Sequence, residues 1–123
     1  MIYGSGIDIV EIDRIKKISA KRRDKFINRI INIDNETVPK EITCTFLASR
    51  FVAKEAFVKA IGLGFREPFS YKKIWIRSND YGKPYVCLDS KLNQYLEDHE
   101  IKHIHLSISH EKKYAIANVI LEN

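Results

Sequence analysis

The sequence predicts an α+β domain, an antiparallel sheet with helices packed on one side. Three observations carry that reading. Residues 45–61 place apolar side chains at helical spacing on nearly every side. Two segments near the middle of the chain, Tyr71 to Ser78 and Lys83 to Asp89, flank the turn sequence Asn79-Asp80-Tyr81-Gly82. A second pair closes the chain: Ile104, Leu106 and Ile108 alternate with His105, Ser107 and Ser109, then His110 to Lys113 turn into the apolar run from Tyr114 to Leu121. No repeat, low-complexity tract or linker divides the 123 residues, so residues 1–123 read as a single domain.

The elements follow in order. Met1 to Val10 is a strand, with Gly4 and Gly6 ahead of the run Ile7-Asp8-Ile9-Val10. Asp8 interrupts that run. Buried, it needs a metal or a hydrogen-bonding network; on an edge strand it faces water. Ile12 to Ile31 is helical, with one apolar stripe at Ile12, Ile15 and Ile18 and another at Phe26, Ile27, Ile30 and Ile31. The polar stretch Ser19 to Lys25 between them predicts a bend or break. Asn32 to Ile42 reads as a loop or short helix, punctuated by Asn35 and Pro39. The central helix runs from about Thr45 to Ile61, and Gly62 and Gly64 supply the left-handed backbone that ends it. Asp89 or Ser90 caps a short helix through about His99, with Leu92, Tyr95 and Leu96 facing the core.

The central helix carries two charged stripes on an otherwise apolar cylinder. Arg50 and Lys54 form one; Glu55 and Lys59 form the other, roughly 140° around the axis at about 100° per residue. A helix this apolar belongs in the interior, and solvent accounts for only one stripe. The second is expected to face a cleft or an interface, where a carboxylate and an ammonium become candidates for chemistry.

Composition narrows the function classes. No stretch reaches the roughly 20 apolar residues that span a bilayer, so no membrane association is expected. Met1 to Val10 lacks a basic region followed by an apolar one, and Cys44 and Cys87 stand alone, which predicts reduced thiols in a cytoplasmic protein. The net charge of +5 is concentrated: Arg14 to Arg29 holds eight basic residues and one acid, giving that segment +7 and the rest of the chain −2. Such local basicity favours docking of an acidic partner. A nucleic-acid partner is not expected, because no aromatic platform interleaves the charges and no helix-turn-helix or RNP pattern surrounds them. Ile18 and Phe26 on the same segment suit a protein partner with an acidic, partly apolar helix.

Asp8 and Glu55 are the acids most embedded in apolar sequence. Two hard oxygen ligands suit Mg²⁺, which completes its octahedron with water and substrate phosphate. Lys59 could place a positive charge on the same phosphate, and together the three suggest phosphoryl-type transfer. A plain ion pair on a helix face is the alternative. No P-loop, G-x-S-x-G elbow or H-E-x-x-H occurs. Ser107, Ser109 and His110 read as hydrogen-bonding or capping groups rather than a nucleophilic set, and His110 beside Lys112 and Lys113 could contact a phosphate.

Taken together, four motifs resemble the holo-acyl carrier protein synthases, short members of the 4′-phosphopantetheinyl transferases. They are Gly6-Ile7-Asp8-Ile9-Val10-Glu11-Ile12 with Arg14-Ile15, the helix Arg50 to Gly62, Tyr81-Gly82-Lys83-Pro84, and Ser107-Ile108-Ser109-His110 with Tyr114-Ala115. Between Ile31 and Thr45 only Glu36 matches. The resemblance implies the 4′-phosphopantetheinyl transferase fold and transfer of 4′-phosphopantetheine from coenzyme A to a serine of acyl carrier protein. Adenosine 3′,5′-bisphosphate is released, and the product serves fatty acid biosynthesis. By the same resemblance Asp8 and Glu55 bind Mg²⁺ with the diphosphate, and Lys59 neutralises or protonates the leaving phosphate. Arg50, Lys59 and His110 contact coenzyme A. The base for the carrier serine is either Glu55 or a metal-bound water. Arg14 matches the docking arginine, and Lys17, Lys21, Arg22 and Arg29 are assigned to carrier docking through the shared helix. The resemblance also implies a homotrimer with active sites between subunits, and would put Asp8 and Glu55 on different chains.

Overall fold

Strand β1 (Ile2–Glu11) runs straight into helix α1 (Ile12–Ile30) in the computed structural model, which describes all of residues Met1–Asn123. Helix α2 (Cys44–Ile61) follows, then a 3₁₀ turn at Tyr71–Lys73, strands β2 (Ile74–Ser78) and β3 (Pro84–Leu88), helix α3 (Ser90–Asp98), and strands β4 (His103–His110) and β5 (Tyr114–Glu122). The α+β class holds. The strands form two antiparallel sheets rather than one: a three-stranded sheet in the order β1-β5-β4, and β2 with β3 alone. The predicted strand from Tyr71 begins three residues late, because Tyr71–Lys73 is the 3₁₀ turn.

Local chemistry sets the element ends. The bend expected between Ser19 and Lys25 is a kink at Arg22, whose φ of −144° and ψ of 48° leave the helical region. Thr43 caps α2 by accepting from the Phe46 amide, and Gly62 ends it with φ of 93°, left-handed as the sequence predicts. Asp89 caps α3 through the Leu92 amide. In the β2–β3 turn the Asn79 side chain accepts from the Tyr81 and Lys83 amides, an Asx turn that fixes the hairpin.

Helix α2 is the spine of the core. Leu47, Ala48, Val52, Ala53, Ala56, Phe57, Val58, Ala60 and Ile61 on it are all buried. It lies across one face of the three-stranded sheet, against Ala115, Ala117, Val119 and Leu121 of β5. The opposite face is bare. Pairing of Ile7 with Asn118 and of Ile9 with Ile116 puts Ile7, Ile9, Ile116 and Ile120 on that outer side. Ile7 and Ile9 are each 58% exposed.

Candidate functional site

The site begins with two missing side chains. Gly4 and Gly6 let β1 lie directly on α2: a Cβ on Gly6 would overlap the Ala56 carbonyl oxygen, and one on Gly4 the Ala60 carbonyl oxygen. Two residues beyond Gly6, Asp8 therefore faces the helix. Its Oδ1 accepts from Lys59 Nζ at 3.0 Å, and the same ammonium donates to the Ile7 carbonyl at 3.1 Å. Asp8 sits on an edge strand, yet its side chain is only 17% exposed, while that of Lys59 is 53% exposed.

One helical turn back, half-buried Glu55 accepts from the Tyr71 hydroxyl at 2.5 Å. Burial first, and the Glu55 carboxylate second, push the Tyr71 phenol well above its usual range. Asp8 and Arg29 both lie within electrostatic reach of that hydroxyl. Asp8, Glu55 and Lys59 thus gather on adjacent elements of one chain. This corrects the assignment of the two carboxylates to different subunits: β1 and α2 are packed together, so no neighbour is needed to supply Asp8.

Glu55 and Tyr71 form part of a cleft of about 340 Å³ between α1 and α2, lined also by Arg14, Ile18, Phe26, Arg29 and Phe51. Arg14 and Arg29 are thus brought to the catalytic candidates. Lys17 is exposed on the outer face of α1, and Lys21 and Arg22 lie at the kink in a separate, solvent-facing segment. The residues assigned to docking therefore do not share one surface: Arg14 and Arg29, on either side of the kink, line the cleft, and Lys17, Lys21 and Arg22 do not.

Arg50 and His110 do not join Glu55. They share a second cleft, of about 360 Å³, with Thr43, Thr45, Ser49, Ser78, Gly82 and Pro84. Arg50 stacks over the Phe46 ring, 4.6 Å from its centroid, and donates to Ser49 Oγ at 3.2 Å. Its Nε is buried without a partner, and burial lowers its affinity for a proton. A guanidinium with no carboxylate paired to it, beside hydroxyls and an imidazole, is a natural receiver for an anion. Ser107 and Ser109 are exposed on the bare outer face of the sheet, away from both clefts.

Lys54 corrects the stripe it was placed in. It shares no solvent face with Arg50; it is fully buried, and its ammonium is used up by Glu36 Oε2 at 2.8 Å, the Tyr71 carbonyl at 3.0 Å and the Ile30 carbonyl. Burial pushes its pKa down to about 8 against the pull of Glu36. Glu36 in turn accepts from the amides of Asn32 and Ile76. The segment that matched the family only at Glu36 is thus pinned by that residue to α1, α2 and β2.

The carboxylates fit Mg²⁺. Asp8 Oδ2 and Glu55 Oε2 accept no protein hydrogen bond, which leaves an open hard oxygen on each. The chain has no cluster of three or more His, Cys, Asp or Glu side chains, so a cation held here has two protein carboxylates at most, the number Mg²⁺ commonly takes.

Comparison with known proteins decides the family. A family model for the 4′-phosphopantetheinyl transferase superfamily matches residues 4–119. The holo-[acyl-carrier-protein] synthases of Vesicomyosocius okutanii and Halothermothrix orenii are 43% and 44% identical, over 99% of this chain and 98% of each relative. This chain belongs to the holo-[acyl-carrier-protein] synthases. The crystal structure of the synthase from Neisseria meningitidis superposes with a TM-score of 0.91 at 36% identity, covering 100% of both chains. The Helicobacter pylori synthase, solved in complex with coenzyme A, gives 0.79 at 30% identity, over 96% of this chain and 99% of that one.

Within this family frame, Tyr71 and Phe51 are the residues that sequence reasoning passed over. Phe51 offered only the signal of an aromatic on an apolar helix. Tyr71 carried none, because its hydroxyl meets Glu55 only after the loop of residues 62–70 folds back.

Proposed function

We propose that the Asp8–Glu55–Lys59 corner and the α1–α2 cleft form the metal, diphosphate and carrier half of the active site, and that the Arg50–His110 cleft is the other half. The reaction is transfer of 4′-phosphopantetheine from coenzyme A to an acyl carrier protein, which supplies fatty acid biosynthesis. The observation that carries the division is geometric. Glu55 lines one cleft of the chain, and Arg50 and His110 line another.

The bare sheet face supports a way to unite them. Ile7, Ile9, Ile116 and Ile120 form an apolar band with no cover in the single chain. Burying it against further copies, as a homotrimer, would bring the first cleft of one subunit to the second cleft of its neighbour. Asp8 would then have its subunit's Glu55 beside it and a neighbour's Arg50 and His110 across from it.

Chemically, the carrier serine oxygen attacks the diphosphate phosphorus that bears pantetheine, its proton passing to Glu55 or to a water, and the bond to the bridging oxygen breaks, releasing adenosine 3′,5′-bisphosphate. Asp8 and Glu55 would hold Mg²⁺, which when bound neutralises charge on the diphosphate. Lys59 is free to turn from Asp8 to the leaving phosphate, since its side chain is half exposed. It is then placed to neutralise or protonate that group. Arg50 and His110 bind the remaining phosphate charge of coenzyme A. Arg14 and Arg29 flank an apolar floor of Ile18, Phe26 and Phe51, which suits an acidic helix with apolar side chains from the carrier.

Mass spectrometry of apo-carrier protein incubated with this protein, Mg²⁺ and coenzyme A tests the reaction; absence of the phosphopantetheine mass gain would overturn it. The divided site is tested by mixing two inactive variants, Glu55→Gln and Arg50→Ala/His110→Ala. Subunit exchange should restore part of the activity, whereas a site within one chain leaves the mixture dead. Charge reversal at Arg14 and Arg29 should raise KM for carrier about tenfold at low salt, with the gap closing as salt rises. An unchanged KM would remove the docking assignment.

A further inference from the structure

We propose that the Tyr71 hydroxyl is a positioning group for Glu55, fixing which carboxylate oxygen is presented to the divalent cation; this rests on the reading of Glu55 as a metal-binding residue. Tyr71 donates to Oε1, which leaves Oε2 as the open oxygen. The donor is itself held tightly for a residue in a three-residue turn. Its ring lies against Phe65, with centroids 4.1 Å apart, and stacks on Phe51 at 6.0 Å. Its carbonyl accepts from Lys54 Nζ at 3.0 Å, and that ammonium is locked to Glu36 at 2.8 Å. Ring and backbone are therefore both anchored, and the hydroxyl has a fixed place.

Glu55 is the opposite kind of side chain. It is half-buried at the edge of a cleft, with several rotatable bonds and no other protein hydrogen bond. A fixed phenol selects one of its rotamers before the cation arrives. Hydrogen bonds to the ligands of a metal ion orient them, and losing one commonly weakens binding by about 10–100-fold. The buried Glu36–Lys54 pair thereby acquires a second consequence, since it holds the turn from which Tyr71 reaches Glu55. A phenylalanine at position 71 would keep the stack between Phe51 and Phe65 and lose only the donor.

The test is Mn²⁺ binding followed by electron paramagnetic resonance with coenzyme A present, with protein-free coenzyme A as baseline, on wild type, Tyr71→Phe and Glu55→Gln. Thermal melting checks the fold of each. Tyr71→Phe should bind Mn²⁺ at least about tenfold more weakly, and at subsaturating Mg²⁺ its kcat should fall while KM for carrier stays as in wild type. Glu55→Gln should lose the tight Mn²⁺ site, and adding Tyr71→Phe to it should weaken binding no further. If Glu55→Gln binds Mn²⁺ as wild type does, the metal reading of Glu55 fails, whatever Tyr71 does. If Glu55→Gln fails to bind but Tyr71→Phe binds as tightly as wild type, the positioning role is overturned. Tighter binding by Tyr71→Phe overturns it too, since the hydroxyl would then compete with the cation. Phe65→Leu is the second variant, removing part of the ring clamp and keeping the hydroxyl. It should shift Mn²⁺ affinity in the same direction by a smaller factor, and a folded Phe65→Leu with wild-type affinity argues against the proposal.

Discussion

Lys54 and Lys59 stand five residues apart on one helix, each facing a carboxylate, and the structure treats them in opposite ways. Lys54 is fully buried, with its donors taken by Glu36 and two backbone carbonyls. Lys59 is half exposed, and its partner Asp8 keeps one oxygen without a hydrogen bond. The closed pair has nothing left to offer a ligand, and its purpose is to tie a long loop to α1 and α2. The open pair can exchange partners, which is what a group neutralising a transient phosphate charge must do. Charge on an apolar helix is therefore not itself the mark of a site; unsatisfied bonding capacity is.

Four experiments would break or sharpen that contrast. Glu36→Ala leaves the Lys54 charge buried without its carboxylate and orphans the amides of Asn32 and Ile76, so urea unfolding should show a loss of about 3–5 kcal/mol. If stability barely moves, the closed pair is not the tie described here. Asp8→Asn and Glu55→Gln should do the reverse, lowering turnover by about 100–1000-fold with little change in melting temperature. A variant that keeps near-normal turnover would remove its carboxylate from the site.

The third experiment uses pH. Lys54 has a folded pKa of about 8 against 10.5 for an ordinary lysine. Between those values the unfolded chain binds more protons than the folded one, so stability rises with pH across that window. Below pH 8 the cost of burying the charge is fully present and the effect is flat. Wild type should gain on a Lys54→Met/Glu36→Gln variant, whose position 36 and 54 side chains do not titrate, as pH rises upward from about 8. A falling difference would mean that the charged form is favoured inside the fold. The smallest effect belongs to the open pair: a double-mutant cycle on Asp8 and Lys59 should give under about 1 kcal/mol of coupling in stability. A larger value would make that pair structural.

Much of this was legible in the residues because periodicity and capping are local. The span of α2, its Gly62 end, the hairpin at Asn79–Gly82 and the closing strands follow from neighbours in sequence. The orientation of α2 was not legible. On a helix apolar nearly all round, a wheel gives the angle between Arg50–Lys54 and Glu55–Lys59 but not which side meets a loop, a cleft or water. That Lys54 turns inward depends on Glu36, 18 residues away in sequence. The division between the Glu55 cleft and the Arg50 cleft, and the separation of β2–β3 from the larger sheet, are likewise products of long-range packing. Asp8 falls between these cases. Its interruption of an apolar strand was visible, and its pairing with the same chain's Lys59 needed the approach of β1 to α2.

That approach has a consequence for how the protein can vary. With backbone resting on backbone at Gly4 and Gly6, strand and helix have no side-chain layer between them to absorb change. Adding a single methyl at either position would lift β1 and carry Asp8 away from Lys59. The separation of the two carboxylates is thus gauged by absent atoms, and an alanine scan that skips glycines would never find the residues that set it.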